Sequence, residues 1–107
     1  MILVRDEIQF INEALSEDEL TFIYFYAPMC GTCHLAKQFL EIIEKMEAIP
    51  TIYEADANYF KRLTKEWEIT SVPSFVVTRG DKQLETLYAF ESVTKLYEFI
   101  KRHSDEK

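Results

Sequence analysis

The sequence predicts an α/β fold in the order β-α-β-α-β-α-β-β-α, with a mixed central sheet covered by helices on both faces. Three observations point there. Short apolar runs alternate with segments whose apolar residues recur at helical spacing, the pattern of strand–helix–strand units. The most apolar run, "LTFIYFYA" at 20–27, has almost no polar alternation, as a strand covered on both faces requires. Near the end two runs flank Gly80-Asp81 as a hairpin, and one last amphipathic segment follows.

The elements follow in order. "ILV" at 2–4 reads as a short strand. Asp6 can cap a helix on which Ile8, Ile11, Ala14 and Leu15 share a face, because its carboxylate can accept the unpaired amides of the first turn. "SEDE" at 16–19 is a solvated loop. After the 20–27 strand and Pro28, a long helix begins near Gly31 or Cys33. Its stripe is Leu35, Phe39, Ile42 and Met46, widened by Ala36 and Ile43. Glu41 and Lys45 stand four apart on its wet side, and Pro50 ends it.

"TIYEAD" at 51–56 is the next strand. "NYFKRLTKEW" is a helix capped by Asn58, with Phe60, Leu63 and Trp67 facing inward. "SFVVTR" (74–79) and "KQLETLYA" (82–89) pair as the hairpin. Ser92 caps a final helix with Val93, Leu96, Tyr97 and Ile100 on one stripe, and "KRHSDEK" is its frayed end.

At 107 residues the chain has room for one hydrophobic core and not two, so a single domain over 1–107 is expected. Apolar residues at 48% exclude a disordered chain, and no linker or repeat interrupts it. Twelve basic against nineteen acidic residues give a net charge of −7, which argues against nucleic acid or an anionic membrane surface as a general partner. "MILVRDEIQF" reaches a charge at Arg5 with no apolar signal region. The longest apolar run, "FIYFYAPM", is far below the roughly 20 residues that span a bilayer. A cytoplasmic monomer is expected. Two cysteines are too few for a secreted disulfide scaffold; in a reducing compartment a close pair is catalytic or metal-binding.

That pair lies in "FYAPMCGTCHLAKQFLEIIEK", residues 25–45. C-x-x-C-H is the string to which c-type haem is attached, and C-x-x-C between a strand and a helix is a thiol–disulfide redox motif. Cys30 falls where a helix begins, and unpaired amides there favour a thiolate. Thiols in such settings drop from about 8.5 to roughly 3.5–7.5 in pKa. Cys33, one turn further on, shares the same face, so the two sulfurs can reach bonding distance, and it is the more buried of the two. The arrangement suits two-step exchange, in which Cys30 attacks a disulfide and Cys33 displaces the product. Gly31 and Thr32 leave the turn unobstructed.

Haem would need His34 as one axial ligand and a second such as Met, for which no distal loop is visible. Zinc on Cys30, Cys33 and a histidine lacks the second C-x-x-C or H-x-x-x-H of a structural site. No metal and no dissociable cofactor are therefore expected. His103 reads as a charge at a helix end.

"FYAPMCGTCH" resembles the active-site stretch of the thioredoxin superfamily, in which an aromatic strand leads into C-G-x-C and a helix. "EITSVPSFVV" (68–77) is similar to the family's cis-proline segment, with Pro73 matching that proline and Val72 the residue ahead of it. The resemblance covers nearly the whole chain. It implies a thioredoxin fold and reduction of protein disulfides, with Cys30 as nucleophile and Cys33 as resolving thiol. It also implies a groove at Gly31, Thr32, Val72 and Pro73, where substrate backbone pairs like an added strand. The implied partners are disulfide-containing proteins and an electron donor, either a reductase such as a flavoprotein or a small thiol.

Six positions depart from the family pattern. Tyr24 stands where a buried aspartate usually lies, six residues before the first cysteine, and Ile52 replaces its accompanying lysine. Met29 replaces a tryptophan, Thr32 a proline, Gln38 a helix-kinking proline and Ala89 a groove glycine. The aspartate is thought to help deprotonate the second cysteine. Glu54, on the same strand face as Ile52 by a period of two, is a substitute candidate; the commoner reading is a rim carboxylate with no catalytic part. The alternative function is a redox-inactive thioredoxin-like module that binds a partner in the same groove.

Overall fold

The computed structural model describes residues 1–104. Its elements are β1 (Ile2–Val4), α1 (Glu7–Ala14), β2 (Leu20–Tyr26), α2 (Gly31–Glu44), β3 (Ile52–Asp56), a 3-10 turn (Ala57–Tyr59), α3 (Lys61–Glu66), β4 (Ser74–Arg79), β5 (Lys82–Leu87) and α4 (Val93–Ser104). The five strands lie in the order β1-β3-β2-β4-β5. β1, β3 and β2 run parallel, while β4 is antiparallel to β2 and to β5. The sheet is mixed, as the chain order requires.

The aromatic run of β2 is central because both its edges are paired and both its faces covered. Phe22 and Tyr24 point into a cluster with Ala36, Leu40 and Ile43 of α2 and Leu96, Phe99 and Ile100 of α4. Ile23 and Phe25 point the other way, toward Phe10 of α1 and Phe60, Leu63 and Trp67 around α3. Each such side chain contributes about 1.5–3 kcal/mol when fully buried, so β2 anchors both halves of the core.

Several details differ from the expected pattern. Asp6 does cap α1, accepting the Gln9 amide at 3.0 Å, but the buried residue of that helix is Phe10, while Ile8 is 66% exposed. The buried face of α2 is Cys33, Ala36, Leu40 and Ile43. Leu35 and Ile42, expected at the centre of the stripe, are 50% and 48% exposed. The helix ends at Glu44, before Pro50. Asp56, not Asn58, is the cap after β3: its carboxylate accepts the Asn58 amide at 2.9 Å and opens the 3-10 turn. Phe60, Leu63 and Trp67 are buried as expected.

β5 stops at Leu87, short of Ala89. The β4–β5 turn holds Gly80 at φ +60, where an added Cβ would lie 3.3 Å from the Glu17 carbonyl oxygen. Ser92 caps α4 through the Lys95 amide at 3.1 Å. Phe99 and His103, rather than Tyr97, complete the buried face of α4. His103 does lie in the last turn of α4, but it is buried rather than frayed, its Nε2 2.7 Å from Glu85 Oε1 of β5. Residues 105–107 of the expected frayed end lie outside the described residues. Among the described residues no helix is long and apolar enough to cross a membrane.

Candidate active site

β2 delivers the chain to the surface at Tyr26, and α2 restarts it at Gly31, so the short link between them presents Cys30 at the helix entrance. Cys30 is the N-cap residue of α2, with extended backbone angles of φ −107 and ψ 108. The cap is made by sulfur: the Cys33 amide donates to Cys30 Sγ at 3.2 Å. A helix start leaves its first amides without backbone partners, and one of them is satisfied here by the reactive atom.

Cys30 and Cys33 are joined as a disulfide with a Cα–Cα distance of 5.2 Å, well within the range a bridge tolerates. The two sulfurs are not equivalent. Cys30 is half-buried at the rim, whereas Cys33 is 2% exposed beneath the first turn. Thr32 Oγ1 lies 3.4 Å from Cys30 Sγ. An added Cβ at Gly31 would meet nothing within 4 Å, so the approach over the motif is open.

The Val72–Pro73 peptide is cis, and the Val72 carbonyl oxygen lies 3.9 Å from Cys30 Sγ. The segment before β4 is thus brought from 42 residues away onto the outer sulfur. His34 is exposed on the first turn of α2. Among the described residues no group of three or more His, Cys, Asp or Glu side chains is gathered as a metal site would need.

Behind the disulfide the strands supply a polar pocket. Tyr24 donates its hydroxyl to the Cys33 carbonyl oxygen at 2.5 Å. Burial, with Glu54 and Tyr26 adding repulsion, pushes the Tyr24 hydroxyl well above the usual phenol range, so it remains a donor. Tyr24 of β2 stands opposite Glu54 of β3 in the parallel ladder. Glu54 is 9% exposed and its Oε2 lies 3.5 Å from Lys37 Nζ. It is not the rim carboxylate that the commoner sequence reading expected, because α2 lies over it. Lys37 was missed by the sequence reading, although it sits four residues after Cys33 and such pairs share a helix face. A cleft of ≈160 Å³ touches Tyr24, Cys33, Lys37 and Glu54 together.

A cysteine pair at the entrance of the second helix, with a cis-proline segment beside it and a mixed five-stranded sheet beneath, defines a dithiol protein of thioredoxin fold. Comparison with known proteins narrows the class. The Thioredoxin family model matches residues 2–102. The chain is 41% identical over 88 residues to the thioredoxin-like protein YusE of Bacillus subtilis, covering 82% of this chain and 83% of that one. It is 27% identical over 85 residues to thioredoxin 1 of Plasmodium falciparum, covering 79% of this chain and 81% of that protein. The crystal structure of thioredoxin from Trypanosoma brucei brucei superposes with a TM-score of 0.82 at 23% identity, over 99% of this chain and 92% of that one, a likeness of fold. The chain belongs to the thioredoxin family and is a thiol–disulfide oxidoreductase.

Proposed function

We propose that the protein works in the reducing direction on protein disulfides, with Cys30 as nucleophile and Cys33 as resolving thiol. One observation carries the division of roles: the outer sulfur accepts a helix-start amide at 3.2 Å while the inner one is buried. The reducing direction is supported by the likeness to thioredoxins. On reduction the amide and the helix dipole stabilise a thiolate on Cys30. That thiolate attacks a substrate disulfide, releasing one substrate sulfur and forming a mixed disulfide. Cys33 then attacks Cys30 Sγ, the internal bond closes, and the second substrate sulfur leaves reduced.

Gly31, Thr32, Val72 and Pro73 line the substrate groove in this reading. The open space over Gly31 and the Val72 carbonyl beside Cys30 support it, because an extended chain lying there finds a backbone acceptor next to the reacting sulfur. Electrons return from a reductase such as a flavoprotein or from a small thiol. The setting is the cytoplasm, where a close cysteine pair serves as a dithiol in redox homeostasis. The working unit is a monomer with one domain over 1–107. The charge of −7 disfavours nucleic acid and anionic membranes as partners.

Insulin reduction driven by dithiothreitol tests the reading. Wild type is expected to accelerate it and Cys30→Ser to run at background. Equal background rates for both would instead make the chain a binding module. A redox titration against glutathione fixes direction: a potential near about −270 mV fits a reductant, and one above roughly −200 mV an oxidant or isomerase.

A further inference from the structure

Resolution of the mixed disulfide requires a buried thiol to lose its proton. Cys33 is buried in the first turn of α2 and lines a cleft with residues of β2 and β3, which offers its proton a way out behind the disulfide. Besides Cys33, the groups in that cleft able to hold a proton are Tyr24, Tyr26, His34, Lys37 and Glu54. Tyr24 is committed as a donor to the Cys33 carbonyl. Tyr26 is also raised, by burial first and then by Asp56 and Glu54, with Lys37 and Arg5 opposing, so it too stays protonated. Lys37 is a cation facing the carboxylate, with no lone pair to offer while charged. His34 lines the cleft but is exposed, whereas Glu54 is buried.

Glu54 remains. Burying a carboxylate beneath a helix costs stability unless it is paired, and its ion-pair contact among the described residues is a half-exposed lysine. Its strand neighbour on the same face, Ile52, is fully buried and apolar. Glu54 and Cys33 line the same cleft, which places the buried carboxylate on the outlet of the thiol.

We propose that Glu54, reaching the site from β3, accepts the Cys33 proton across this cleft during the resolving step. The inference rests on the Cys30/Cys33 reading above. The transfer runs through water, for which a space of ≈160 Å³ has room at about 30 Å³ per molecule. As the proton moves from Cys33 Sγ to the Glu54 carboxylate, the sulfur lone pair attacks Cys30 Sγ. The Cys30–Cys33 bond forms and the bond from Cys30 to the substrate sulfur breaks. The bonding pair leaves with the substrate sulfur, which is reduced as Cys33 is oxidised. The substrate thiolate takes a proton from solvent, and Glu54 returns its own to water.

Stopped-flow single turnovers of the reduced protein with a disulfide-bonded peptide separate attack by Cys30 from product release by Cys33. Glu54→Gln is expected to leave attack within about twofold and to slow release about tenfold or more near neutral pH, within the range of general-base effects. The deficit should shrink only at pH above the roughly 8.5 of a free thiol, because burial makes a thiol harder to ionise. Glu54→Asp, which keeps the charge, should recover part of the rate. Lys37→Met removes the same ion pair but leaves the carboxylate, so its release rate should stay closer to wild type than that of Glu54→Gln. Superimposable release profiles for Glu54→Gln and wild type overturn the proposal. So does an equal loss in Lys37→Met, or a comparable loss in His34→Gln. Failure of Cys33→Ser to trap a mixed disulfide on Cys30 overturns the dithiol reading itself, and this proposal with it.

Discussion

The two faces of the sheet are built from different materials. Under α1 and α3, Phe10, Phe25, Phe60 and Trp67 meet edge to face, with Ile23, Leu63 and Val76 filling between them. Under α2 and α4 the same sheet is apolar toward the middle, through Phe22, Leu40, Phe75 and Ile100. Where α2 begins, that face instead buries Tyr24, Glu54 and Cys33. Buried ionisable groups lower stability, so a fold can carry them only if packing elsewhere exceeds their cost. The α1/α3 face, whose buried cluster holds no ionisable side chain among the described residues, supplies that packing, and the polar end of the other, equally aromatic face is left free for chemistry.

The division can be broken from either side. The largest effect on activity should come from Cys30→Ser, which reduces insulin reduction to background while leaving the urea midpoint close to that of the reduced wild type. Phe60→Ala should do the reverse. Its ring lies against Phe10 and Phe25, and its loss should cost about 3–5 kcal/mol in urea unfolding while the turnover rate of each folded molecule is unchanged. Comparable losses of stability in both variants would erase the contrast.

Tyr24→Phe probes the border between the two functions. It removes the hydroxyl that holds the Cys33 carbonyl and should cost about 1 kcal/mol in urea unfolding. A cost indistinguishable from zero would mean that this hydrogen bond does not hold the helix start to β2.

The smallest effect concerns α4 and the sheet edge. Burial raises the Glu85 carboxyl, but hydrogen bonds from Arg102 and His103 and their charges outweigh it and leave it below its ordinary value of 4.5. A carboxyl depressed in the native state adds stability that is present above its unfolded value and lost as pH falls through the native one. Unfolding measured on descending from pH 4.5 should therefore show an acid-side loss in wild type that Glu85→Gln lacks. Parallel curves for the two would remove this pair from the stability of the C-terminal helix.

The same contrast explains what was legible beforehand. Element order, the Asp6 and Ser92 caps, the hairpin turn and the cysteine pair at a helix start follow from local patterns of spacing and turn chemistry. The inward face of α2 does not. Leu35, Phe39, Ile42 and Met46 are bulky and repeat at helical spacing, yet the face against the sheet is Cys33, Ala36, Leu40 and Ile43. Both sets satisfy the helical period, and only the sheet decides between them. Small residues at 33 and 36 are what allow the helix start to approach β2.

Tertiary placement likewise decided Glu54 and His103. A period of two put Glu54 on the correct strand face, but nothing local reveals that α2 covers it. His103, near the end of the chain, is buried because Glu85 comes from a strand 18 residues earlier. Such burial is set by long-range packing, which a window of sequence does not contain.

The central claim is that sulfur caps α2 and that the amide it meets makes Cys30 a ready nucleophile. Alkylation of the Cys33→Ser variant by iodoacetamide as a function of pH tests it directly, with only one thiol present. The account predicts a rate that is half-maximal below about 7.5, within the range of thiols at helix N-termini. A half-maximal point at about 8.5 or above, as for a free cysteine, would contradict it.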